Sequence, residues 1–220
     1  MKEYCVIPDV NVIIDQFSEG QYARDPRSKE LIEYCLLNET FVVNQALLDV
    51  SVRIGKELNG RHVLTSRSLN DLKHFVRKVA PRRLDMGMQD EIDGIAVAIG
   101  QIYKEHGFSE ENNRLLSEVA QTNRRYQPAA WDVYSSQMDP DEKDKINSGL
   151  AVPDVGDLRL LGFAAVIKKE YEKVFVASSD ADITGWEANL EVVKLIESKY
   201  GIKTGTPSDI LVLLEDKKFL

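Results

Sequence analysis

Aspartates recur in this sequence where apolar runs end. Tyr4-Cys5-Val6-Ile7-Pro8 closes on Asp9, and Val174-Phe175-Val176-Ala177-Ser178-Ser179 closes on Asp180, with Asp182 two positions on. Asp49 lies about one turn into the helical pattern after Thr40-Phe41-Val42-Val43, and Asp154 and Asp157 precede the apolar stretch from Leu158. Carboxylate oxygens are hard ligands that suit Mg²⁺ or Mn²⁺. Several gathered within a few ångströms repel one another unless a divalent cation occupies the space between them. Cations held in this way polarise a phosphodiester and generate a hydroxide nucleophile. Asp9, Asp49, Asp157 and Asp180 are therefore the candidate metal and catalytic set. The two cysteines, Cys5 and Cys35, sit in apolar patterns, and His62, His74 and His106 are scattered among polar neighbours. That distribution argues against a zinc cluster and supplies no partner for a His-based nucleophile.

Each acid also has an ordinary structural use. Asp154 and Asp157 have capping-box spacing, as N-cap and N3 of one helix, where carboxylates favour the helix dipole. Asp182 is placed to cap a helix after the acidic turn, Asp49 to face solvent, and Asp15 to be a surface acid. Asp9 and Asp180 have the weakest such explanations, because each abuts an apolar strand.

The elements that must position these residues follow from periodicity. Residues 4–7 read as a buried strand, and 11–20 as a short helix or turn before a loop over 21–28. Ser28 is placed to cap a helix over 29–37, 40–43 reads as a second strand, and Asn44 caps a helix over 45–58. Between 60 and 152 no strand is expected; 69–79, 89–105 and 110–126 read as helices, and 139–149 is polar. A strongly apolar helix over 158–169, a strand over 173–178 and a helix over about 187–199 follow, with Gly201 at C′. Residues 202–204 read as an edge strand, and Thr206-Pro207-Ser208-Asp209 starts the final helix. Strand and helix alternation predicts an α/β domain with a parallel sheet flanked by helices, built from 1–58 and 152–220 and carrying a helical insertion over 59–151. In such sheets ligands bind beyond the carboxyl ends of the strands, where Asp9 and Asp180 would lie.

The chain has 220 residues, 43% hydrophobic content and a net charge of −8. No run approaches the ~20 apolar residues of a membrane helix, and no signal peptide is evident, so a cytoplasmic protein is expected. The charge is uneven. Between Arg53 and Arg83, nine Lys or Arg face only Glu57 and Asp71, a local charge of +7 on an otherwise acidic chain. A block of this kind is either a solvated helical face or a site for phosphates.

Taken together, these motifs resemble those of the PIN-domain nuclease family. The opening motif, an apolar strand followed by Asp-x-Asn, is matched by Ile7-Pro8-Asp9-Val10-Asn11-Val12-Ile13-Ile14. The acid after strand two is matched by Asp49, where the family often has Glu; the Asp opening an Ala-rich helix by Asp157-Leu158-Arg159-Leu160-Leu161-Gly162-Phe163-Ala164-Ala165; the strand followed by Ser-x-Asp by Ser178-Ser179-Asp180. The closing Thr206-Pro207-Ser208-Asp209 is similar to the usual final helix start. The resemblance covers roughly 3–58 and 152–214. It implies a PIN-like, Rossmann-like fold and a Mg²⁺- or Mn²⁺-dependent endoribonuclease that leaves a 5′-phosphate and a 3′-hydroxyl. Asp9, Asp49, Asp157 and Asp180 would be ligands, Asp182 and Asp154 auxiliary, and Asn11 and Ser178 site-orienting residues. RNA would lie against Arg53, Lys56, Arg77, Lys78, Arg82 and Arg83. The helical segment is larger than small toxin-type members carry, and is similar in placement to that of minimal protein-only ribonuclease P relatives.

Two rival readings stand beside it. One is a PIN-like module that binds RNA or protein without catalysis, kept open by the short reach of Asp49. The other is a haloacid-dehalogenase-like phosphatase, whose first motif resembles Asp9-Val10-Asn11 but has a second Asp where this chain has Asn11. A homo-oligomer through the helical segment and a regulatory protein partner are both left open.

Overall fold

The computed structural model describes residues 2–18, 25–108, 152–185 and 189–216. Its middle layer is a parallel sheet of β1 (Lys2–Pro8), β2 (Tyr171–Ala177) and β3 (Ile202–Gly205), adjacent in that order. Side chains alternate across a strand, and both faces are covered. Cys5, Ile7, Val174 and Val176 enter one core, while Val6, Phe175 and Ala177 enter the other. Burial on both faces is why these strands read as unbroken apolar runs.

The second core lies under helices α1 (Val10–Asp15), α2 (Ser28–Leu37), α3 (Gln45–Gly60), α4 (Ser66–Lys78) and, late in the chain, α9 (Pro207–Glu215). The first lies under α5 (Met86–Glu105), α6 (Val155–Ile167) and α8 (Leu190–Tyr200), with the short α7 (Ala181–Thr184) at its rim. Helix α6 is buried without interruption from Leu160 to Ile167. A helix apolar all round needs cover on every side, and α6 has the sheet on one side and α5 on the other. The two helices approach closely at Gly162, where a Cβ would stand 2.6 Å from the carbonyl oxygen of Ile92. Helices α4 and α5 fall within the segment read as an insertion, yet Leu69, Leu72, Ile92 and Ile99 belong to the two cores of the sheet. The expected helix over 110–126 and the polar stretch 139–149 lie outside the described residues, as do 21–24 of the loop before α2 and 187–188 at the start of the helix expected over 187–199.

Two isolated bridges extend the sheet. Val6 donates to the carbonyl of Thr40 (2.8 Å) and accepts from Val42 N–H (3.0 Å), and on the far side Val43 accepts from Arg82 N–H (2.7 Å). Counted as strands, these segments give the spatial order Arg82, Phe41, β1, β2, β3, all parallel, which in chain order reads 3-2-1-4-5 and is compatible with a Rossmann-like fold. The strand expected over 40–43 is thus a single bridge. Only six residues separate the end of α2 at Leu37 from the Asn44 cap of α3, and Glu39 turns the chain at φ 55°.

Local signals account for most element ends. Asn44 accepts from Leu47 N–H, Thr206 and Asp209 form a reciprocal capping box behind Pro207, and Gly201 ends α8 at φ 67°. Two expectations are corrected. Ser28 does not cap α2: the N-cap position is Arg27, no side chain caps the helix, and the Ser28 hydroxyl is buried without a partner, while the Asp25 carboxylate accepts from Arg27 N–H (2.8 Å). Asp15 is not a surface acid but is buried, accepting from Asp25 N–H. Asp25 in turn takes both N–H and hydroxyl of Ser208 on α9, so the entry to α2 is tied to the end of the chain. At β3, Glu197 of α8 accepts from Thr204 N–H (2.7 Å) and hydroxyl (2.9 Å), occupying part of the outer edge. No helix among the described residues is long and apolar enough to cross a membrane.

Candidate metal centre

The chain leaves β1 in one direction, toward residue 41, and returns to β2 on the other side of β1. A crevice opens where such connections diverge, at the carboxyl ends of the strands. Asp9 stands there. Its N–H donates to Ala177 O (2.8 Å) at the end of β2, and its Oδ1 caps α1 by accepting from Val10 N–H. The Ser178 hydroxyl donates to Asp9 Oδ2 (2.8 Å) and accepts from Asp180 N–H (2.9 Å) and from Asn11 Nδ2 (3.3 Å). Asn11 Oδ1 accepts from Ser179 N–H (3.2 Å), and Ser178 N–H donates to Gly205 O (3.1 Å) at the end of β3. Asn11 and Ser178 therefore stitch the ends of three strands around the fully buried Ser178.

Asp180 opens the turn of α7: its carbonyl accepts from Ile183 and Thr184 N–H, and its Oδ1 from Asp182 N–H (3.4 Å). Across from it, α6 points its amino end at the crevice. Asp154 is the N-cap, accepting from Asp157 N–H (2.9 Å), which leaves the half-buried Asp157 carboxyl directed at the other acids. Burial first, and then the charges of Asp154, Asp9, Asp180 and Asp182, push that carboxyl up to about 9. The α6 dipole works the other way, but at ~0.3–1 kcal/mol it is worth less than one pH unit. Burial, then Asp180 and Asp154, push Asp182 up to about 6. Five aspartates from three segments thus load one place with negative charge.

Asp49 has different surroundings. It is exposed on α3 and accepts from Gln45 Nε2 one turn earlier (2.7 Å). Among the described residues, no hydrogen bond joins it to the other aspartates. The six basic residues are all exposed: Arg53 and Lys56 on α3, Arg77 and Lys78 in the last turn of α4, where cations complement the dipole, and Arg82 and Arg83 beyond it. Arg82 bonds Glu170, which precedes β2 at the opposite end of that strand from Ser178.

Two polar groups at this place escaped the sequence reading. The Tyr103 hydroxyl donates to the carbonyl of Asp182 (2.9 Å) from a side chain that is otherwise fully buried. Its place in the apolar stripe of α5 reads as core, and only its polar tip hints at a partner. The Ser179 hydroxyl is buried and has no hydrogen-bond partner, beside Ser178 and Asp180.

Set against known proteins, the chain matches no family model, no curated protein and no solved structure. The site is therefore judged on its own chemistry. An all-oxygen set of carboxylates and hydroxyls, one acid of which is held far above its ordinary range by burial and then by like charges, fits a hard divalent cation in type and in sign. As the side chains lie, no group of three or more His, Cys, Asp or Glu among the described residues closes into a metal-holding arrangement. The donors fit; the shell is open.

Proposed function

We propose that this protein is a divalent-metal-dependent ribonuclease with a PIN-like α/β domain. The observation that carries the reading is the convergence of Asp9, Asp154, Asp157, Asp180 and Asp182 beyond the carboxyl ends of β1 and β2, where burial first and then the other four charges push Asp157 up to about 9. Asp9, Asp157 and Asp180 would hold Mg²⁺ or Mn²⁺, with Asp182 and Asp154 auxiliary. When bound, such a cation polarises a phosphodiester and lowers the pKa of a bound water. The chain's own contribution is orientation. Ser178 fixes one oxygen of Asp9 and the main chain of Asp180 at once, and Asn11 ties the Ser179 backbone to α1. The exposed basic residues over 53–83 would hold RNA phosphates.

The phosphatase reading lacks its second acid, because Asn11 is spent on Ser178 and Ser179. A binding module without catalysis has one observation in its favour: Asp49 is engaged by Gln45 and the carboxylate shell is open. Cleavage of a labelled single-stranded RNA and a precursor tRNA, with Mn²⁺ or with EDTA, separates the two. The nuclease reading expects cutting with Mn²⁺ that EDTA stops and that Asp9→Asn lowers at least ~100-fold. RNA binding without metal-dependent cutting favours the module.

A further inference from the structure

The acidic turn after β2 starts on residues tied to other segments, Ser178 to Asp9, Asn11 and Gly205, and Ser179 to Asn11. From Asp180 onward, among the described residues, its hydrogen bonds run within 178–184, with one exception. The exception is the Tyr103 hydroxyl, which reaches the carbonyl of Asp182 from α5 (2.9 Å). The ring is anchored: it is fully buried and meets Phe108 edge-on at 5.2 Å between centroids. Helix α5 is itself seated against α6 by the close approach at Gly162. A chain of rigid contacts therefore runs from α6, which carries Asp157, through α5 to the backbone of Asp182.

We propose that Tyr103 is a positioning residue of the carboxylate centre, setting the height of Asp182 relative to Asp157 and thereby the affinity for a divalent cation. This rests on the metal-dependent reading above. The hydroxyl touches neither cation nor substrate; it acts through the Asp182 main chain, as outer partners of metal ligands do. Without it the Asp182 carbonyl loses a donor, and among the described residues α7 keeps only the hydrogen bonds within 178–184 and the buried Ile183 side chain.

Mn²⁺ affinity measured by titration calorimetry tests this in the wild type, Tyr103→Phe, Asp182→Asn and the double variant. Tyr103→Phe keeps the ring against Phe108 and removes the hydroxyl. The expected result is affinity about tenfold weaker in Tyr103→Phe, with no further loss when the substitution is made in Asp182→Asn, since two residues acting through one position are not additive. Ile99→Val, which trims the buried packing of α5 and leaves the Tyr103–Phe108 pair intact, is expected to bind Mn²⁺ as the wild type does. Unchanged affinity in Tyr103→Phe overturns the proposal and leaves the metal reading standing. An equal loss in the Asp182→Asn background, an equal loss in Ile99→Val, or a Tyr103→Phe protein that does not fold makes the role a global one and also overturns it. A wild type that binds no Mn²⁺ removes the metal reading and this inference together.

Discussion

The Ser178 hydroxyl donates to Asp9 across 169 positions of sequence, and in the same place accepts from the Asp180 backbone. One buried oxygen thus serves two acids. In Ser178→Ala, one oxygen of Asp9 loses its donor, and Asp180 N–H and Asn11 Nδ2 lose their acceptor. Leaving buried polar groups unpaired costs about 1–3 kcal/mol, so urea titration is expected to show a lower midpoint with an unchanged slope. A midpoint equal to the wild type would mean that the bracket is maintained by other groups.

Asp157 makes stability depend on pH in an unusual sense. Its folded carboxyl, pushed up to about 9 from an ordinary 3.8, binds its proton more tightly than in the unfolded chain. Between those values the native state holds the extra proton, so metal-free stability falls as pH rises. Asp182, pushed up to about 6, adds a smaller loss over a narrower window. Asp157→Asn removes the larger contribution. The variant is expected to melt above the wild type at pH 8 and close to it at pH 4, in EDTA. Mn²⁺ is expected to raise wild-type melting more at pH 8 than at pH 5, because ligands bind deprotonated. Parallel melting curves for the two proteins across this range would contradict a carboxyl raised by burial and by the neighbouring acids.

Gly162 faces backbone rather than a side chain that can move aside. A methyl group there meets Ile92 O at 2.6 Å and Ala96 N at 3.4 Å. Gly162→Ala must push α5 off α6, and overpacking of this kind costs about 1–3 kcal/mol. Thermal melting is the direct measure; an unchanged midpoint would show that the helices separate freely.

The basic block is tested by salt. With Arg77, Lys78, Arg82 and Arg83 replaced by Ala, affinity for single-stranded RNA is expected to fall, and the plot of log K against log salt to become shallower by about 2–3. Because Arg82 is already bonded to Glu170, Glu170→Gln is expected to leave binding equal or stronger. Unaltered affinity and slope in the quadruple variant would remove the block from RNA binding.

The parts of this fold that were legible in the sequence are those set by local chemistry. Asn44, Gly201 and the Thr206-Pro207-Asp209 box lie where side chain or backbone conformation alone dictates a helix end. The runs at 4–7 and 173–178 read as strands because both of their faces are buried. What failed was set by distant partners. Ser28 looked like a cap, but α2 starts behind Arg27 without a side-chain cap, and the Asp25 carboxylate, held by Ser208 from α9, accepts from the Arg27 N–H. Asp15 looked solvent-facing because its buried neighbour is Asp25, ten residues on. At the site, Asp9, Asp157 and Asp180 were legible as acids at element ends. Asp49, at a similar offset from an apolar run, is exposed on α3 and accepts from Gln45 one turn earlier. Tyr103 was hidden because periodicity reports the buried ring and is blind to the hydroxyl.

The bracket between Asp9 and Ser178 has a consequence for synthesis. Domains fold as they leave the ribosome, but contacts of long sequence separation wait for their second half. A nascent chain that ends before β2 carries Asp9 without Ser178, Asp180 or Asp182, and its α6 acids have no crevice to face. The carboxylate centre can come into being only after the turn at 178–184 has emerged, so any chemistry it performs is withheld from the partly made protein.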